Sequence, residues 1–125
     1  MEQTHAVMVL ESLASALRLE VFRLLVRKGS HGLVAGEISS ALDIPPTNLS
    51  FHLKNLTYAG LVTVEQEGRF QRYRANMPLM LELVAYLTEE CCAGDAVECG
   101  NLRAASTVAP NVLPPLERPR AGAGS

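Results

Sequence analysis

The chain has 125 residues and a formal net charge of −2, from 13 acidic and 11 basic side chains. Although 48% of the residues are apolar, only 5% are aromatic, so the core must come mainly from Leu, Val, Ala and Ile, which suits packed helices. No apolar run approaches the roughly 20 residues that cross a bilayer, and the N-terminus lacks a secretory pattern, so we expect a single-domain cytoplasmic protein without a membrane partner.

Apolar side chains at helical spacing predict three helices in the first third of the chain. The first two cover His5–Ala14 and Ala16–Lys28. Ser15 is the expected N-cap of the second helix, and Gly29 should end that helix. A third, short helix is predicted over Ala35–Leu42. The sequence DIPP follows it, and its two prolines end that helix and preset a turn into the next one.

The segment Thr47–Ala59 has the pattern of an amphipathic helix. Its leucines recur at i, i+4 and i+7 and should face the core, and Gly60 should end the helix. At about 100° per residue, the opposite face carries polar and aromatic side chains. That solvent face consists of Thr47, Asn48, Phe51, Lys54 and Asn55.

Two short runs, Leu61–Glu65 and Phe70–Ala75, predict a β-hairpin with a charged tip. Helix, proline turn, helix and basic-tipped hairpin is the order of a winged helix-turn-helix, so we expect a mainly α fold with a small hairpin that binds double-stranded operator DNA. The expected base and phosphate contacts are Thr47, Asn48, Ser50, Phe51, His52, Lys54, Asn55, Arg69, Gln71 and Arg72. His52 has an equally good alternative role as a half-buried side chain hydrogen-bonded within the fold.

The last predicted helix, Met77–Cys91, is apolar around its whole axis, and such a helix needs burial on more than one side. The first helix also needs burial on more than one side, so we infer a homodimer through the first and last helices. A monomer with two exposed apolar helices is the alternative. We therefore expect a dimerising, DNA-binding domain over residues 1–92, a binding segment over 93–100 and a disordered Pro- and Gly-rich tail over 101–125.

All three cysteines of the chain, Cys91, Cys92 and Cys99, lie within nine positions. An odd number with an adjacent pair is a poor disulfide framework, which favours metal binding or thiol redox chemistry. Acidic neighbours disfavour the thiolate form that a redox sensor needs. They could also supply a fourth ligand for zinc or cadmium, from Glu90, Asp95 or Glu98.

An enzymatic use of these thiols has no support in the sequence. A thiol enzyme that reduces an oxyanion in a phosphate-like loop would need an arginine six positions after a cysteine, and those positions hold Val97, Glu98 and Ala105. We therefore expect no enzyme activity and no organic cofactor. A metal-storage or protein-interaction module on the same fold stays open, and it would show no salt-dependent DNA affinity.

Three runs, LASALRLEVFRLL, LDIPPTNLSFHLKNLTYAGLV and EGRFQRYRA, resemble the arsenical-resistance repressors of the ArsR/SmtB family over about Leu10 to Cys99. The resemblance implies a dimeric winged-helix repressor that leaves its operator when a toxic metal or metalloid binds. Arsenic sensors of that family carry an L-C-V-C-D-L motif, which here reads Leu33–Ile38 without a thiol. Zinc sensors place histidines along the last helix, and Met77–Cys92 contains none.

With both of these sensor positions empty, the expected metal ligands are Cys91, Cys92 and Cys99. Their spacing resembles that of a subtype of arsenic repressors in this family. Three thiolates make a soft site that selects against calcium, magnesium and manganese. As(III) and Sb(III) form three bonds to sulfur in a pyramid, with a lone pair in the remaining direction. The expected inducer ligand is therefore As(III) or Sb(III).

Overall fold

The structure is a computed structural model that describes residues 1–89 and 96–107. The chain divides into two units, Met1–Met80 and Leu81–Ser125, with the division inside the fifth helix. The helices are α1 (Gln3–Leu13), α2 (Ala16–Lys28), α3 (Ala35–Leu42), α4 (Pro46–Tyr58), α5 (Met77–Leu87) and α6 (Ala96–Ala105), and the strands are β1 (Leu33–Val34), β2 (Val62–Glu67) and β3 (Phe70–Ala75). No helix within the described ranges is both long and apolar enough to cross a membrane.

Helix α2 begins and ends where the sequence predicts. The Ser15 hydroxyl oxygen accepts a hydrogen bond from the backbone N–H of Arg18 at 3.4 Å, which satisfies one of the free donors of the first turn. Gly29 ends the helix with a positive φ of 59°, a conformation that glycine adopts without a steric penalty. Arg27 and Lys28 in the last turn complement the helix dipole.

The turn between α3 and α4 is fixed by its own side chains. Asp43 takes a left-handed conformation with φ 54°, and the Ser39 hydroxyl donates to the carbonyl oxygen of Ile44. Pro46 occupies the first position of α4, where its missing N–H costs no hydrogen bond. The helix consequently starts one residue before the predicted Thr47.

The core of the first unit is built around the leucine face of α4. Leu49, Leu53 and Leu56 are at most 2% exposed. They join fully buried Val21 and Leu25 of α2, and α4 contacts both α2 and α3. Full burial of such a side chain contributes about 1.5–3 kcal/mol, so this face fixes how α4 rotates about its axis and which residues remain in solvent.

The three strands form an antiparallel sheet in the order β1-β3-β2. Strand β1 has only two residues and was not predicted; Leu33 pairs with Tyr73 of β3. Strand β2 runs to Glu67 instead of the predicted Glu65, because Gly68 with φ 63° allows a tight turn in which Glu67 pairs directly with Phe70. The predicted winged helix-turn-helix architecture is confirmed.

Two predictions for the C-terminal part are wrong. Helix α5 ends at Leu87 and Thr88 lies in a turn, whereas the prediction extended the helix to Cys91. Thr88 donates its hydroxyl to the Val84 carbonyl, a local bond that competes with helical hydrogen bonding. Helix α6 was not predicted, and it occupies residues 101–105 of the expected disordered tail.

Helix α6 has a clear local cause. It contains alanines, which have the highest helix propensity, and it places Glu98 in the first turn and Arg103 in the last turn, where each charge opposes the helix dipole. The predicted tail beyond residue 107 lies outside the described residues. The predicted boundary between the domain over 1–92 and the binding segment over 93–100 also lies outside the described residues.

Gly32 and Gly36 provide a matched pair of substitutions. At Gly32, with φ 62° and ψ −172°, a Cβ atom would lie 2.5 Å from the Tyr73 carbonyl oxygen, so Gly32→Ala adds a backbone clash to a strained conformation. We expect it to lower the free energy of unfolding by about 2 kcal/mol or more. Gly36 lies in α3 with open space around it, so Gly36→Ala should raise that free energy by about 0.5–1 kcal/mol. Urea unfolding measures both, and an equal loss in the two variants would contradict the assignment.

Candidate nucleic-acid interface

The solvent face of α4 presents a set of unengaged side chains. Phe51 is 68% exposed, an unusual position for a large apolar ring, and its ring contact is an edge-on one with the neighbouring His52 at a centroid distance of 5.9 Å. The polar residues around it are also exposed and make no side-chain hydrogen bond within the described part of the chain. These residues are Thr47, Asn48, Ser50 and Lys54. The predicted contact residues on this face are therefore available to a ligand.

Two further predicted contacts, His52 and Asn55, are engaged within the fold. The Ser12 hydroxyl of α1 donates to the Asn55 side-chain oxygen at 2.6 Å. Nη1 of Arg18 lies 3.3 Å from Nδ1 of His52, and since arginine can only donate, Nδ1 is the acceptor in this contact. Arg18 also donates to the Ser12 carbonyl at 2.7 Å. The α1–α2 junction thus contacts α4 through these side chains.

The arginines of the hairpin are mostly paired. Arg72 donates to both carboxylate oxygens of Glu67 at 3.0 Å and to the His31 carbonyl oxygen at 3.1 Å. Arg74 forms a 2.7 Å ion pair with Glu65. Arg69 at the tip has no ion pair or hydrogen bond within residues 1–89 and 96–107. It is therefore the hairpin cation that is free to meet a phosphate group.

Gln71 is the fourth predicted contact that the fold engages. Its amide nitrogen lies 3.3 Å from the Gln66 side-chain oxygen, and its own oxygen accepts from the Tyr73 hydroxyl at 3.1 Å. Gln71 and Tyr73, together with Ser50 and Leu53, line a solvent-open groove of about 450 Å³ that α3, α4 and β3 form. Burial raises the pKa of the Tyr73 hydroxyl above its ordinary value.

Tyr58 lies on the same edge of α4 as Ser50 and Lys54, and it is not among the contacts predicted from the sequence. It is 83% exposed in the last turn of the helix. It follows Lys54 by four residues and Ser50 by eight, so the three side chains form a line along the helix. This i, i+4, i+8 spacing is the sequence signal that would have placed Tyr58 beside the predicted contacts.

The predicted metalloid ligands are not described by the structure. Cys91 and Cys92 lie outside the described residues, and Cys99 is in α6 without a described side chain. Among the residues that the structure does describe, no group of three or more His, Cys, Asp or Glu side chains could hold a metal ion. The start of α3, where Leu33–Ile38 matches the thiol motif of arsenic sensors, carries no sulfur ligand.

Comparison with known proteins gives the family. A family profile described as a helix-turn-helix domain matches residues 13–65. A curated protein of Halobacterium salinarum, named as a candidate arsenical resistance operon repressor ArsR, is 37% identical over 69 residues, 55% of this chain and 53% of the relative. HlyU from Vibrio cholerae N16961 is 32% identical, with a TM-score of 0.56 over 70% of this chain and 97% of that chain.

The chain belongs to the ArsR/SmtB family. An ArsR-like transcriptional regulator from Rhodococcus sp. RHA1 shares the fold, with a TM-score of 0.64 over 84% of this chain and 96% of that chain at 22% identity. The match to the curated relative spans about half of that relative's length. The Halobacterium salinarum relative is named as a repressor and the Rhodococcus neighbour as a transcriptional regulator, and neither is named as an enzyme.

The raised pKa of Tyr73 in this ArsR/SmtB chain makes stability pH-dependent. The folded protein holds the phenol proton more tightly than the unfolded chain, so this contribution is full below about pH 10 and is lost as pH rises through the folded pKa. We expect Tyr73→Phe to lose less stability than the wild type between about pH 8 and about pH 11 in urea unfolding. Tyr58→Phe, at an 83% exposed position, is the control and should match the wild type. Equal losses in wild type and Tyr73→Phe would contradict this role.

Proposed function

We propose that the chain is a cytoplasmic, homodimeric transcriptional repressor that binds operator DNA through α4 and the hairpin, and that As(III) or Sb(III) releases it. The observation that carries DNA binding is the unengaged solvent face of α4, opposite a leucine face that is fully buried. Asn48 can donate to and accept from base edges, and Phe51 can lie against a thymine methyl group. Lys54 and Arg69 supply cations that no acidic side chain neutralises within the described residues.

The homodimer is supported by apolar side chains that a single chain leaves in solvent. On α1, Val7 and Leu10 are 46% and 43% exposed, and their i, i+3 spacing puts them on one face. On α5, Leu81 and Leu87 are 43% and 58% exposed. A second copy could cover these side chains. In such a dimer two α4 helices would enter successive major grooves, about 34–36 Å apart on an inverted repeat.

The metalloid response rests on the sequence and on the relative named for arsenical resistance. Cys91, Cys92 and Cys99 can supply three thiolates, which equals the three sulfur bonds of As(III) or Sb(III). Neither Leu33–Ile38 nor α5 contains a cysteine or a histidine. Binding needs to favour the DNA-incompetent arrangement by about 5.5 kcal/mol for nearly complete release, and by about 1–3 kcal/mol for a typical partial response.

The contribution of Arg69 can be separated from that of the paired arginines by salt dependence. Each phosphate contact adds close to one unit to the slope of log K against log salt concentration. Arg69→Ala should therefore reduce the slope by about 1. Arg74→Ala is the control, because Glu65 and the Ser30 carbonyl already engage Arg74, and its slope should change less. Fluorescence anisotropy with labelled DNA measures both slopes, and a larger change for Arg74→Ala would contradict the assignment.

The thiol site is tested by release of the bound operator fragment in gel-shift titrations. Arsenite and antimonite should release the wild type and should fail to release a variant in which Cys91, Cys92 and Cys99 are all serine. Cadmium, zinc and peroxide are the further arms, because three thiols also suit a cadmium or zinc sensor or a redox switch. Release of the serine variant by arsenite would overturn the cysteine site, and peroxide as the sole effective agent would replace metalloid sensing with redox sensing.

A further inference from the structure

Ser12 in the last turn of α1 is a buried polar side chain, with 4% of its surface exposed. A buried hydroxyl without a partner costs free energy, so its bond to Asn55 of α4 matters to both residues. Asn55 is otherwise exposed. One end of its amide is therefore engaged in the fold while the other end can reach solvent.

The distance between the Ser12 hydroxyl and the Asn55 amide identifies which amide atom is hydrogen-bonded. The two heavy atoms are 2.6 Å apart, which lies in the range of O–H···O bonds and below the usual range of N–H···O bonds. The Ser12 hydroxyl thus donates to the Asn55 oxygen, and the amide nitrogen of Asn55 points away from Ser12. Arg18 strengthens this arrangement, because it donates to the Ser12 carbonyl and also contacts His52, three residues before Asn55 on α4.

The engaged oxygen restricts what Asn55 can recognise. Asparagine reads adenine by donating to N7 and accepting from the N6 amino group, which requires both ends of the amide. The Asn55 oxygen keeps a second lone pair, but this oxygen is held against Ser12, which is only 4% exposed, so the N–H donors are the part of the amide that can reach a base. Guanine offers two acceptors, O6 and N7, on its major-groove edge, and so suits a donor-only side chain. Asn48, on the same helix, has no side-chain hydrogen bond within the described residues and keeps both functions.

We propose that Ser12 is a specificity-determining residue: its hydroxyl fixes the amide of Asn55 as a donor, so that Asn55 selects guanine and discriminates against adenine. This inference rests on the proposed function, because it presumes that α4 lies in the major groove. A residue of the first helix thereby sets a base preference without touching the DNA.

Selection of DNA sites from a random library, with the full chain, tests the inference. The wild type should enrich a guanine in each half-site, and Asn55→Ala should lose that preference alone. Ser12→Ala frees the amide to rotate, so adenine should become acceptable at the same position and the discrimination between guanine and adenine should fall at least about fivefold. Asn48→Ala is the matched control and should alter a different position.

Asn55→Asp is a second variant in case Ser12→Ala destabilises the fold. Its carboxylate can still accept from Ser12 but cannot donate, so the preferred base should change from guanine to cytosine, which offers an amino donor. A preference for guanine that is the same in Ser12→Ala or in Asn55→Asp as in the wild type would overturn the inference. An unaltered base pattern in Asn55→Ala would also overturn it, because Asn55 would then contact no base.

A measurement without DNA separates this inference from the proposed function. In NMR spectra of the free protein, the side-chain carbonyl carbon of Asn55 should shift when Ser12 becomes alanine, since it loses a hydrogen bond. An unshifted resonance would overturn the inference and leave DNA binding untouched. A wild-type protein that enriches no DNA sequence, with the resonance shifted as expected, would overturn both the proposed function and the base preference that depends on it.

Discussion

Burial of the leucine face of α4 is the interaction on which the rest of the structure depends. Leu49, Leu53 and Leu56 are at most 2% exposed, and an α-helix that buries one face must present the opposite one. That opposite face carries Asn48, Phe51 and Lys54. Any rotation of α4 that placed these residues inside would bury an amide and an ammonium group and expose three leucines, and both changes are unfavourable.

Much of the fold could be predicted from local signals. The bounds of α2, α3 and β3 agree with the prediction. Ser15 and Gly29 mark the ends of α2, and the two prolines of DIPP follow the end of α3. Strand β1 could not be predicted, because two residues show no periodicity and their pairing depends on β3 some 40 residues later. Helix α6 was missed because the proline- and glycine-rich sequence beyond it suggested disorder over the whole segment.

The candidate site was predictable to a lesser degree. Helical periodicity correctly places Thr47, Asn48, Phe51, Lys54 and Asn55 on the solvent face. It could not show that Asn55 and His52 are engaged, because their partners Ser12 and Arg18 are 43 and 34 residues away in the sequence. A helical angle gives the direction of a side chain, whereas its hydrogen-bonding capacity depends on tertiary contacts. The same limit applies to Arg72, whose pairing with Glu67 depends on strand register.

We propose that two α4 helices of one dimer contact DNA from the same side. Hydroxyl-radical footprinting of the full chain on a selected site tests it most directly. We expect two protected regions about 10–10.5 base pairs apart, related by an inverted repeat, and their loss in a Lys54→Ala, Arg69→Ala double variant at moderate salt. A single protected region, or protection that is uniform along any DNA fragment, would contradict it.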